Sequence, residues 1–179
     1  AHAGYLLVAI MASMQFPGDS DRAVWVLFFY LFIYLIASFS IFGVMGVAKL
    51  TDDNEHEFST YEGLGKKSPF LAFVLICGIG SLAGIPPFAG FIAKLLLISV
   101  AFEAKLYFSL TAMIIGVVIS IYYYFGWARE VAFDSRPKFD GEENKPDPWS
   151  KTTQLGLLKI TLLILTITSL VFGIWQGPF

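Results

Sequence analysis

Residues 23–48 of the chain, AVWVLFFYLFIYLIASFSIFGVMGVA, contain no charged side chain. A helix that spans a bilayer needs ~20 mostly apolar residues, and this stretch exceeds that. The pattern recurs. Residues 106–128 and 160–175 are also free of charge, residues 69–102 carry a single charge at Lys94, and residues 3–14 make a shorter fifth run. Only 15% of the 179 residues are charged, against ~25% in ordinary soluble domains. Mean hydropathy is +0.70. In hydrocarbon every backbone amide must find its partner within the protein, so apolar runs of this length become helices. The expected fold class is therefore all-α. It is a polytopic transmembrane bundle of about five spans, roughly 1–14, 23–48, 69–102, 106–128 and 155–175. The chain 1–179 reads as a single membrane domain.

The third run is too long to be one straight span. Its 34 residues would reach ~51 Å at ~1.5 Å per residue, while the hydrocarbon core is only ~30 Å thick. Pro86 and Pro87 lie in its middle. Proline lacks an amide donor and clashes with the carbonyl one turn back, and Pro87 pushes Pro86 out of the helical region. With Gly84 just before them, they predict a discontinuous helix broken at Gly84, Pro86 and Pro87. Gly80 and Gly84 also have the G-x-x-x-G spacing of a helix-packing pair. GIGSLAG is not a dinucleotide fingerprint, because its glycines are spaced differently and no strand precedes it.

Lys94 is the charge that needs an explanation. Nine residues before Glu103, it sits ~13 Å from the polar turn at one end of its span. A charge near mid-bilayer costs at least ~2.5–3.5 kcal/mol on insertion scales. The amine can shed its proton, or keep it beside water, a carboxylate or freed carbonyls. A group poised between those states can accept and release protons. Unwound backbone at this depth survives only where it is buried in protein or lines a wet cavity, which suits the same purpose. The alternative is a static lysine that pins two helices. His2, with Tyr5 three residues on, is the second candidate. Imidazole titrates near neutral pH and can relay protons, although a hydrogen-bonded packing role is the plainer reading.

Tyr122, Tyr123 and Tyr124 read as interfacial anchors. Ser81 and Ser120 can hold water or bond their own helix backbone. Cys77 reads as a small core residue, and His56 as a solvated loop histidine among acids. Ser59 and Glu62 have capping-box spacing. No C-x-x-C or ligand cluster suggests a metal or an iron–sulfur centre, and a net charge of −2 suggests no nucleic-acid partner.

Positive charge is asymmetric. Arg22 and Lys105 lie on the side reached after the first run, against Lys49, Lys66, Lys67, Arg129, Arg136, Lys138, Lys145 and Lys151 on the other. The positive-inside rule places loops 49–68 and 129–154 in the cytoplasm and the C-terminus outside. The opening AHAGYLL has no initiating Met and no charged leader. It reads as the later part of a helix, so the chain is expected to be the C-terminal part of a longer one.

AHAGYLL, YEGLGKKSP, SLAGIPPFAGFIAKLLLI and IYYYFGWARE, in this order, resemble the antiporter-like membrane subunits of respiratory complex I, the proton-translocating NADH:quinone oxidoreductase. The resemblance covers nearly the whole chain and is closest to the N type (subunit 2). It implies a fourteen-helix subunit with two inverted repeats, of which this chain supplies the last five helices. Lys94 then falls on the proton-channel lysine of the broken helix, and His2 on the polar residue of the family's hydrophilic axis. The middle antiporter-like subunit usually has glutamate at the position of Lys94, and the distal one continues into a lateral helix not found here. The resemblance also implies an energy-transducing membrane, the bacterial inner membrane first. Partners would be the other complex I membrane subunits, the N-terminal remainder of the same subunit and lipid. No cofactor is expected in this chain; FMN, iron–sulfur clusters and quinone would belong to partner subunits. A subunit of a multisubunit cation/proton antiporter and a non-transporting membrane scaffold are the rival readings.

Overall fold

The computed structural model describes residues 2–15, 20–51, 61, 64–132 and 156–174. His56, Ser59, Glu62 and most of the linker 129–154 lie outside the described residues. Among those described, the regular elements are seven helices: α1 (His2–Gln15), α2 (Ser20–Thr51), α3 (Leu64–Lys67), α4 (Pro69–Ala83), α5 (Ala89–Glu103), α6 (Tyr107–Ala132) and α7 (Gly156–Ile174). Three of them, α2, α6 and α7, are long and apolar enough to cross a membrane, and α4 is a shorter apolar helix. The chain thus has the all-helical, polytopic membrane fold expected of it, with one helix in two pieces. The helix over the 23–48 run extends beyond it at both ends, from Ser20 to Thr51. Asp21 lies in its first turn, where a negative charge complements the helix dipole.

Helix α4 begins with Pro69, which needs no amide partner at a helix start. It ends at Gly84, whose φ of 79° places it in the left-handed region that costs glycine least. The amide of Ile85 donates to Gly80 O at 3.0 Å and that of Gly84 to Ser81 O at 3.1 Å, the two bonds of a Schellman ending. The Gly80–Gly84 spacing therefore does not mark a packing pair. Gly84 stops the helix, while Gly80 faces the ring of Phe88. The chain then crosses Pro86–Pro87 through a cis peptide and re-enters helix at Ala89.

The break divides the apolar core. Tyr5, Ala9, Val26, Ile33, Ala93 and Leu97 belong to one buried cluster, built on α1, α2 and α5. Val44, Leu71, Leu75, Ile79, Val131 and Leu162 belong to another, built on α2, α4, α6 and α7. The long helix α2 supplies residues to both, so it holds the two half-helices in register. Cys77 is free and buried. In-span hydroxyls mostly bond their own helix: Ser40, Ser120 and Thr166 each donate to the carbonyl four residues back. Helix α6 is the odd one. Only Met113, Ser120 and Val131 are buried along it, and Phe108, Ile115, Val118 and Tyr122 stand exposed.

Candidate functional site

The site forms where α4 stops. A helix leaves its last four carbonyls without amide partners. Here Gly80 O and Ser81 O are taken by the Gly84 and Ile85 amides. The remaining two are taken by a side chain from the other half-helix: Lys94 Nζ donates to Leu82 O and to Ala83 O, both at 2.8 Å. Lys94 is on the second turn of α5 and only 4% exposed. Its ammonium thus completes the cap of α4, at the end of the helix where the dipole favours a cation by ~0.3–1 kcal/mol, more when buried. The Tyr5 ring lies on another side, with its centroid 5.6 Å from Nζ, within cation–π range. Among the described residues the one ion pair is Arg22–Glu103, so Lys94 meets carbonyls and an aromatic face rather than a carboxylate.

Close backbone approach makes this geometry possible. Gly90, one turn before Lys94, sits so near α4 that a Cβ there would overlap the Ser81 carbonyl. Its amide donates to Ser81 Oγ at 3.2 Å. Ser81 thus serves as an acceptor for the first turn of α5, which satisfies a donor that helix geometry leaves free. On the far side, a Cβ on Gly173 of α7 would overlap the Pro87 carbonyl. The link between the half-helices is therefore walled on both flanks by backbone.

His2 and Lys94 are brought together. With Tyr30, Tyr34, Ser81, Leu82 and others they line a small cavity of about 10 Å³, at the lower limit for one water. His2 Nδ1 is 2.8 Å from the Tyr30 hydroxyl and Nε2 is 3.4 Å from the Tyr124 hydroxyl. Its ring packs on Tyr34 at 4.9 Å and edge-on to Tyr5 at 6.1 Å. A second, larger cleft of about 380 Å³ runs from Lys94 and Pro86 along Ile98, Val117 and Phe125, between α5 and α6. Lys94 is on the wall of both.

Sequence reasoning paired Lys94 with the break but missed Tyr30 and grouped Tyr124 with the anchors. Tyr122 and Tyr123 are exposed, whereas Tyr124 is half-buried and turned to His2. Three consecutive residues on a helix point ~100° apart, so at most one of the triplet could face the bundle interior; that was the available signal.

A family model described as NADH:quinone oxidoreductase/Mrp antiporter, transmembrane, matches residues 1–120, which include α1, α2, the break and Lys94. The chain belongs to this family. It is 45% identical to NADH-quinone oxidoreductase subunit N 1 of Opitutus terrae, over 99% of this chain and 34% of that protein. With subunit N of Heliobacterium modesticaldum it shares 32% identity, over 99% of this chain and 34% of the relative. It thus spans about a third of the length of these curated relatives. Among solved structures, a chain of the Mrp complex from Dietzia sp. superposes with a TM-score of 0.63 at 20% identity, covering 96% of this chain and 42% of that one. That likeness is one of fold.

Proposed function

We propose that this chain is the C-terminal part of subunit N of a proton-translocating NADH:quinone oxidoreductase, and that Lys94 is its proton-handling group with His2 beside it. The observation that carries the reading is the placement of Lys94. It is a buried amine whose partners are the carbonyls freed by the break at Gly84, Pro86 and Pro87, and it opens on a cavity shared with His2. Protonated, the amine gains two charge-assisted bonds, each worth ~1.5–3 kcal/mol. Moving one charge against 100 mV costs ~2.3 kcal/mol. The two scales match, so a modest displacement of Leu82 and Ala83 carbonyls from Nζ would change the amine's hold on its proton by as much as a pump stroke requires. Redox chemistry would occur in partner subunits carrying FMN, iron–sulfur clusters and quinone, and charge rearrangement along the membrane arm would reach this chain. The positive-inside count supports an orientation with loops 49–68 and 129–154 in the cytoplasm and the C-terminus outside.

The decisive variants are Lys94→Ala and Lys94→Arg in the full-length subunit. Arginine keeps a charge and donors for the two carbonyls but does not give up its proton. Both variants are expected to assemble and to lower the protons pumped per NADH oxidised. A wild-type ratio in Lys94→Arg would show the lysine to be a static cap held by its two backbone bonds. The family's description also supports a second transport reading, a subunit of a cation/proton antiporter. Sodium-dependent, redox-independent transport by the parent complex would select it.

A further inference from the structure

We propose that Tyr30, His2 and Tyr124 form a proton relay leading away from Lys94, with the two tyrosine hydroxyls fixing the tautomer and orientation of the imidazole. The inference rests on the proton-handling reading of Lys94 and extends it to two residues on other helices. The geometry is a line of three polar groups: Tyr30 Oη to His2 Nδ1 at 2.8 Å, then Nε2 to Tyr124 Oη at 3.4 Å. Tyr30, on α2, is 3% exposed and lines the same cavity as Lys94. Tyr124, on α6, lies on the opposite side of the imidazole from Tyr30.

The direction of each bond follows from charge. A buried phenol proton needs an acceptor, and among the described residues the recorded partner of the Tyr30 hydroxyl is Nδ1. The Lys94 ammonium shares the cavity, and a cation attracts the phenol's lone pairs and repels its proton. Tyr30 therefore turns its proton to Nδ1 and its lone pairs to the cavity. The imidazole is left with its own proton on Nε2, aimed at Tyr124. A proton arriving from Lys94 through the cavity adds to Tyr30 Oη as the Tyr30 proton passes to Nδ1. The Nε2 proton then passes to Tyr124 Oη, whose own proton moves on. One proton enters and one leaves, and both phenols end neutral, with the imidazole proton now on Nδ1. The Tyr124 bond exceeds the usual hydrogen-bond range, so that step is the slow one. Titratable groups facing His2 are Tyr5 on its own helix, Tyr30 and Tyr34 from α2, Lys94 from α5 and Tyr124 from α6, while α4 offers only the Ser81 hydroxyl.

The experiment measures proton uptake per NADH in inside-out vesicles holding the complete complex with full-length subunit. Tyr30→Phe and Tyr124→Phe each delete one hydroxyl and are expected to slow pumping about tenfold or more, within the contribution of a positioned proton-transfer group. Replacing Tyr124 with 3,5-difluorotyrosine keeps the shape but makes the hydroxyl more acidic. If that hydroxyl carries the proton in the slow step, the pumping rate and its solvent deuterium isotope effect should both change, which a packing role would not cause. If both phenylalanine variants pump at the wild-type rate while Lys94→Met does not, the relay is wrong and the role of Lys94 stands. Wild-type pumping in Lys94→Met sinks both. An unmoved rate and isotope effect with difluorotyrosine reduce Tyr124 to packing and overturn the relay, and they decide the matter alone if a phenylalanine variant fails to assemble.

Discussion

Helix α5 carries a charge at each end and houses the two differently. At its N-terminal end Lys94 is 4% exposed and bonded to backbone carbonyls of α4. At its C-terminal end Glu103 accepts two bonds from Arg22 Nη1, at 2.7 and 2.8 Å, with both side chains about half exposed, at 50% and 49%. The second pair joins opposite charges near water, where solvent competes for both. The first pairs one charge with dipoles where little solvent reaches. An exposed ion pair contributes little to stability and has no need to change its protonation state. A buried amine held by dipoles has no compensating anion, so its charge depends on how closely those carbonyls approach. The same helix thus has a structural end and an end suited to chemistry.

The difference can be tested by attacking each end in turn. The largest effect is expected from Gly90→Ala, because the new methyl group would collide with the Ser81 backbone rather than with a movable side chain. Overpacking a tight contact costs ~1–3 kcal/mol and sometimes more; assembly of the complex, scored by native gel, should fail or fall sharply. Next comes Lys94→Met, which leaves Leu82 O and Ala83 O without the amine. Cavity water can take the amine's place, so each lost bond costs ~0.5–1.5 kcal/mol net, and a lowered Tm of the purified complex would register it together with the loss of pumping. Gly84→Ala forces a methyl group into the left-handed region at φ 79° and to 2.8 Å from Lys94 Cδ. The backbone term is ~1–2 kcal/mol, and pumping should fall with it because the lysine stem is displaced. Arg22→Ala should be mildest, ~0.2–1 kcal/mol, measurable as a small drop in Tm that shrinks at high salt, with pumping intact. Equal losses from Arg22→Ala and Lys94→Met would erase the distinction between the two ends.

Much of this contrast is visible in the residue order. A 34-residue apolar run with Pro86–Pro87 inside it cannot be one straight span, and a lysine seven residues on must lie deep in the bundle. Those statements follow from bilayer thickness and backbone chemistry, which act locally. The identity of the amine's partners did not follow, because which carbonyls meet Lys94 depends on how the chain folds back after the prolines. The Gly80–Gly84 spacing misled for a related reason: four residues apart serves both a packing face and a helix ending. The deciding clue was Pro86 two residues after Gly84, since proline often follows a left-handed cap. The Tyr30–His2–Tyr124 line joins three separate helices, and no periodicity along one helix encodes it.

Gly173 carries a mechanical consequence. Because α7 leaves no room for even a methyl group beside the Pro87 carbonyl, the unwound link cannot swing toward it without shoving the whole helix aside. Any displacement of the link in that direction must then push α7 outward or slide along it. Helix α7 thus works as a buttress against the unwound link.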